Sequence, residues 1–187
     1  YAGYCDTPPY HGWIFGYDAT NLQQQRIVFN TTPNGDEGGI WMAGQGPAID
    51  SLGDLYVVTG NGAFNPSTQD YGDCFLRLRP AGGSLQVVDY FAPYNQAHLD
   101  QIDADLGSDG PLLIPHTGLI TGSGKEGVLY LLDRNNLGKF NASQDTCWQR
   151  IPAFNGHLHG STVYWEDRPA AGLSYWWSEN DNLKSYR

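Results

Sequence analysis

Two histidines separated by one residue, His157-Leu158-His159, are the pair in this sequence best suited to chemistry. In an extended segment side chains alternate with period two, so both imidazoles project to the same face. Side by side and neutral, they suit zinc or copper once a third ligand arrives from elsewhere in the chain. The alternative is a pair that hydrogen-bonds neighbouring backbone. A second cluster is acidic. Asp100, Asp103, Asp105 and Asp109 offer the hard oxygen ligands that calcium takes, with Asp103 and Asp105 as the metal candidates. The EF-hand spacing is not met, because a loop opening at Asp103 puts Gly107 at its fifth position and Ile114 at its twelfth. A short acidic side chain ahead of a strand also fixes a turn by accepting backbone N–H bonds, and that is the preferred role for Asp105.

Other chemistries find less support. Gly122-Ser123-Gly124-Lys125-Glu126-Gly127 is glycine-rich, but the phosphate-loop spacing is missing and a strand follows it, not a helix. Its glycines permit a turn between strands, and Lys125 is expected to pair with Glu126 or a nearby aspartate, or to face a central ligand. No Gly-x-Ser-x-Gly elbow marks a serine hydrolase. Glu37, Glu126, Glu166 and Glu179 could supply an acid–base pair only at a separation that sequence does not reveal. Six tryptophans and 12 tyrosines read mainly as packing, while Trp41 and Trp148 lie in loops where a ring can stack on a sugar. His11, His98 and His116 are scattered, the last in a turn.

The chain that must position these groups has 187 residues, 40% hydrophobic and 16% charged, which is enough to bury a core. Glycine and proline fill about a fifth of it, far above helical-bundle usage. The net charge of −10 argues against nucleic-acid binding, which needs a basic face. No apolar run approaches the roughly 18–20 residues of a membrane span, so no membrane insertion is expected. Cys5, Cys74 and Cys147 form no C-x-x-C pair, and both a disulfide and separate thiols remain open. Asn30-Thr31-Thr32 and Asn141-Ala142-Ser143 match the glycosylation sequon, whereas Asn65-Pro66-Ser67 is blocked by its proline. Three lysines, many aromatics and an acidic balance lean towards a secreted, extracellular location. The chain opens at Tyr1 inside what already reads as folded sequence, which suggests a mature or excised piece of something longer.

Internal repetition organises the chain. Gly46-Pro47-Ala48-Ile49-Asp50, Gly53-Asp54-Leu55-Tyr56-Val57-Val58-Thr59-Gly60 and Cys74-Phe75-Leu76-Arg77-Leu78 make one copy of a three-part plan. Gly110-Pro111-Leu112-Leu113-Ile114, Gly118-Leu119-Ile120-Thr121-Gly122 and Val128-Leu129-Tyr130-Leu131-Leu132-Asp133 make a second, and 160–165, 172–177 and 183–186 a third. An incomplete earlier copy spans Trp13-Ile14-Phe15-Gly16-Tyr17-Asp18 and Arg26-Ile27-Val28-Phe29. Each piece is a strand of four to six residues closed by Gly, Asn or Asp, and no helical periodicity is expected. Four antiparallel strands repeated every 50–60 residues or so is the arithmetic of a β-propeller, with a β-sandwich as the rival. The expected class is therefore all-β, with about three to four blades over one region, 1–187, at approximately 1–35, 36–98, 99–150 and 151–187.

Gly12-Trp13-Ile14-Phe15-Gly16-Tyr17-Asp18-Ala19, Glu37-Gly38-Gly39-Ile40-Trp41-Met42, Gly46-Pro47-Ala48 and Thr59-Gly60-Asn61-Gly62 carry a family likeness. So do Asp103-Ala104-Asp105-Leu106-Gly107-Ser108, Gly124-Lys125-Glu126-Gly127-Val128-Leu129-Tyr130-Leu131 and Asn135-Asn136-Leu137-Gly138. Over nearly its whole length the chain resembles secreted pyrroloquinoline-quinone (PQQ)-like propeller proteins, relatives of the quinoprotein alcohol dehydrogenases. The resemblance implies an eight-bladed fold and, in cofactor-binding members, a quinone stacked on a vicinal-cysteine disulfide beside calcium, with an aspartate as base. No vicinal cysteines occur here, and many proteins with this repeat bind no quinone.

Two functions are expected from this reading. The first is a secreted binding or scaffold module whose ligand is a glycan or another small molecule; the second is a quinoprotein-type oxidoreductase holding PQQ and calcium. Open blades expose strand edges, so self-association or further blades of a longer chain are the expected partners. Residues just ahead of Gly46, Gly110 and Gly160 should gather at one end of the innermost strands. That face carries the candidates Glu37, Gln45, Asn61, Asp105, Lys125, His157 and His159.

Overall fold

The computed structural model describes residues 7–169 and 171–187. A hairpin of β1 (Trp13–Asp18) and β2 (Asn21–Asn30) opens it. Next come β3 (Ala48–Ile49) and β4 (Leu55–Val58), then a small hairpin of β5 (Phe64–Asn65) and β6 (Asp70–Tyr71), then β7 (Phe75–Ala81) and β8 (Ser84–Phe91). Helix α1 (Gln96–Gln101) follows, with β9 (Leu112–Leu113), β10 (Leu119–Gly122), β11 (Val128–Asp133) and β12 (Gln149–Pro152) after it. The chain closes with β13 (Val163–Glu166), β14 (Gly172–Trp176) and β15 (Lys184–Tyr186).

The strands form antiparallel meanders in the order β3-β4-β7-β8, β9-β10-β11-β12 and β13-β14-β15. The protein is all-β; ten of these strands and part of β2 overlap the repeated segments of the sequence, while β5, β6, β8 and β12 lie outside them. Helix α1 is a correction to the expectation of none. It is only six residues long, too short to show a periodic apolar stripe. Asp133-Arg134-Asn135-Asn136-Leu137 reads in the sequence as the turn from a third strand to an outermost one, but no outer strand follows it directly. Asp133 pairs with Asn136 there, and β12 begins only at Gln149.

Period-two alternation stacks these sheets face to face in series. Tyr56 and Val58 of β4, Phe75 of β7 and Phe91 of β8 pack against Ile120 of β10 and Val128, Tyr130 and Leu132 of β11. Val57, Leu76, Leu78 and Leu85 point the other way, onto Ile14, Ile27 and Phe29 of the first hairpin. Leu129 leaves the opposite face of β11 and meets Phe154, Leu158 and Trp176 under the last sheet. The middle sheets are therefore covered on both faces, which explains why β4 and β11 read as unbroken apolar runs. The tight turn between β3 and β4 forms as the sequence requires: Asp50 accepts the N–H of Leu52 at 2.9 Å and of Asp54 at 3.1 Å, and Gly53 sits at φ +82°.

Candidate functional site

The segments leading into the edge strands β3, β9 and β13 meet. Met42 N–H donates to the Gly107 carbonyl at 2.8 Å and Ala43 N–H to that of Ser108 at 3.2 Å. Gln45 Nε2 donates to the Pro111 carbonyl at 2.8 Å. Ser108 Oγ reaches the Leu158 carbonyl at 2.6 Å, and Ser161 Oγ that of Ala43 at 3.3 Å. Residues 42–45, 107–111 and 158–162 thus form one junction ahead of Gly46, Gly110 and after Leu158.

One polar cluster at this junction is centred on Asp105. Its Oδ1 accepts the Asn61 N–H at 2.9 Å and Trp41 Nε1–H at 3.2 Å, while its Oδ2 lies 2.6 Å from Lys125 Nζ. Lys125 also reaches Asp103 Oδ2 at 3.1 Å, and Asn61 Nδ2 donates to Asp103 Oδ1 at 2.8 Å. Burial pulls the Lys125 ammonium towards a lower pKa, but its bonds to Asp105 and Asp103 outweigh this and hold it above its ordinary value. Beside them Asp73 is wholly buried, with Oδ1 accepting the Leu106 N–H at 3.0 Å. Burial pushes that carboxyl well above the usual carboxylate range.

This geometry explains four of the sequence candidates, Asn61, Asp103, Asp105 and Lys125. A lysine supplies the positive charge that a calcium ion would bring, so the cluster works as a cross-link between loops. Asp105 does accept a backbone N–H, as expected of a turn-fixing aspartate, but from Asn61 across the junction and not from its own turn. Glu37 and Gln45 do not join it. Glu37, at φ +63°, forms backbone bridges to His11 and Gly62, and Gln45 is tied to Pro111.

The second cluster is a groove of about 580 Å³. His157 and His159 are exposed on either side of Leu158, which is only 2% exposed, so the imidazoles share a face. Their ring centroids are 5.7 Å apart. The Glu179 N–H donates to the His157 carbonyl at 2.9 Å, which brings the Glu179 carboxylate 3.6 Å from His159 Nε2. One ligand atom from each of these residues lies within 4.8 Å of the others, and no other group of three His, Cys, Asp or Glu converges so closely among the described residues. Trp177, 71% exposed, lines the same groove.

Asp109 also lines this groove although it is only 1% exposed. Thr162 Oγ1 donates to its Oδ2 at 3.2 Å, while its Oδ1 is buried without a partner among the described residues. Burial, against the weaker pull of the Gly110 N–H and the Thr162 hydroxyl, raises its pKa to about 7. Two more buried atoms from lining residues, Trp176 Nε1 and Ser178 Oγ, likewise have no partner among the described residues. In sequence Asp109 is one aspartate of a run; in the fold it is buried like Asp105 but makes no ion pair with the lysine that Asp105 meets. Glu179 and Trp177 carry no local signal linking them to His157, because a backbone pairing across 22 positions makes that link.

Among the described residues Glu126, Glu166 and Glu179 form no shared acid–base site. Glu126 contacts Asn95 and Arg150, Glu166 contacts His116 and Tyr164, and Glu179 stands with His159. The quinone cradle implied by the resemblance does not fit these residues. Cys74 is a wholly buried thiol ahead of β7, raised well above its ordinary pKa by burial, and Cys147 is a half-buried thiol ahead of β12. Cys5 lies outside the described residues. No helix among the described residues is long and apolar enough to cross a membrane. No family model matches the chain, and no curated protein is significantly similar to it.

Proposed function

We propose that this chain is a run of propeller blades from a secreted binding module, and that it takes a hydroxyl-rich ligand such as a glycan in the His157–His159 groove. Serial face-to-face stacking of antiparallel meanders supports the propeller reading. So does the meeting of the segments that lead into the edge strands β3, β9 and β13, as innermost strands around one axis would require. The groove's chemistry carries the ligand reading. An exposed indole, Trp177, offers a flat apolar face for a sugar ring. Beside it the histidines His157 and His159 and the carboxylate of Glu179 offer exposed polar atoms to sugar hydroxyls.

An oligosaccharide array probed with the labelled chain tests this, with Trp177→Ala and Asp109→Asn run in parallel. Glycan binding that is lost in Trp177→Ala while the melting temperature holds supports the reading. An array blank for the unmodified chain refutes it. A second arm adds PQQ and calcium, then follows quinone absorbance after desalting and dye reduction with alcohols or sugars. Retained quinone with turnover would replace the binding module with a quinoprotein-type oxidoreductase.

A further inference from the structure

We propose that His157, His159 and Glu179 bind one divalent transition-metal ion of the zinc class, with coordination positions left open to the groove. Ligand spacing is the first argument. Imidazole nitrogens and carboxylate oxygens sit about 2.0–2.2 Å from zinc, so two ligands at tetrahedral angles lie roughly 3.4 Å apart. The His159 Nε2 to Glu179 Oε1 distance is 3.6 Å. That is longer than the roughly 2.7–3.2 Å of a good hydrogen bond and close to the edge of a metal tetrahedron. The third group is within 4.8 Å of the other two. Rotation of exposed side chains about χ1 and χ2 closes such a gap without moving the backbone.

The backbone beneath these three residues is already held. Leu158 is buried against Phe154 and Trp176, and its carbonyl accepts Ser108 Oγ at 2.6 Å. The histidines therefore flank a pinned residue. Glu179 is tied to His157 by the 2.9 Å backbone bond, and it lies so close to Gly156 that a Cβ there would meet the Glu179 carbonyl oxygen at 2.0 Å. Neither imidazole hydrogen-bonds another described residue, so both keep a ring nitrogen for an ion. His116 shows the contrast: it hydrogen-bonds Glu166 at 3.0 Å, and no third ligand joins that pair.

The donor set selects the metal. Two nitrogens and one carboxylate suit zinc, copper(II) or nickel(II) and disfavour calcium, which takes oxygen ligands. Three protein ligands leave at least one position for water or for an oxygen of a molecule in the groove. The metal site stands without the glycan reading, since its ligands do not include Trp177 or Asp109.

Chelator-stripped chain, titrated with zinc chloride by calorimetry and with cobalt chloride by visible absorption, decides the matter. Zinc should bind one ion per chain, and cobalt should give the d–d bands of a low-coordinate nitrogen–oxygen site. His157→Ala, His159→Ala and Glu179→Gln should each weaken binding at least about tenfold, while His116→Ala leaves it unchanged. All three ligand side chains are exposed, so the metal-free variants should melt within a few degrees of the parent. No binding to the unmodified chain would overturn the proposal, and so would equal binding to the His157→Ala/His159→Ala double variant. Zinc binding with a blank glycan array would retain this site and remove only the ligand reading; the reverse would do the opposite.

Discussion

Asp109→Asn should remove the part of a pH-dependent loss of stability that this carboxyl causes. The carboxyl is 1% exposed and its pKa rises on folding from the ordinary 3.8 to about 7. Between those values the native chain keeps the Asp109 proton and the unfolded chain has released it. The native state then binds more protons, so stability falls as pH climbs from about 4 to about 7. A proton-affinity change of this size, at about 1.4 kcal/mol per tenfold, amounts to about 4 kcal/mol. Asparagine has the same shape and no charge, so the variant avoids this loss. Urea unfolding of both proteins from pH 4 to pH 8 provides the measurement. The two proteins differ at this one side chain, so the difference between their curves isolates its contribution. The variant should gain on the parent by up to about 4 kcal/mol across that range. Parallel stability curves would show that Asp109 ionises freely in the folded protein and that its burial has been misjudged.

Three further perturbations probe the scaffold. Asp54 is wholly buried, and its bond from Arg79 and those from Arg77, opposed by burial, hold its pKa below the ordinary value. Its contribution is therefore present above the unfolded pKa and lost as pH falls through the folded one. Asp54→Ala strands Arg77, whose side chain is only 12% exposed, and should cost about 3 kcal/mol in urea unfolding at pH 7; an unchanged midpoint would count against the buried pair. Lys125→Met leaves the buried Asp105 carboxylate without its cation and should cost about 2–4 kcal/mol, read from the same midpoint. Gly60→Ala places a Cβ 2.1 Å from Asp105 Oδ1, and overpacking there should cost about 2 kcal/mol and shift the fluorescence of Trp41; a silent substitution would mean that the loops part easily.

Some of this protein was legible in its residues alone, because the relevant physics is local. Strand alternation needs only a period of two, so the repeated apolar runs around Tyr56, Ile120 and Tyr130 placed the strands of the middle sheets. Gly53 and Asp50 announced their turn, since a positive φ and an Asx bond each depend on neighbours in the chain. The same-face geometry of His157 and His159 followed from one intervening residue.

Contacts between distant residues were not legible in this way. Lys125 chose Asp103 and Asp105 over Glu126 because the loops carrying the aspartates fold across its own, not because of spacing. Glu179 joined the histidines through a backbone bond to His157, made across 22 positions of the chain. Asp109 differs from Asp100 and Asp103 only in how much of the fold covers it, and that covering raises its pKa. The sequence by itself determined the inner strands of the middle sheets, the turn at Asp50–Gly53 and the histidine pair. Only the tertiary structure decided which charges pair, which carboxyl keeps its proton and which third residue faces the imidazoles, because burial and long-range contact are properties of the packed chain.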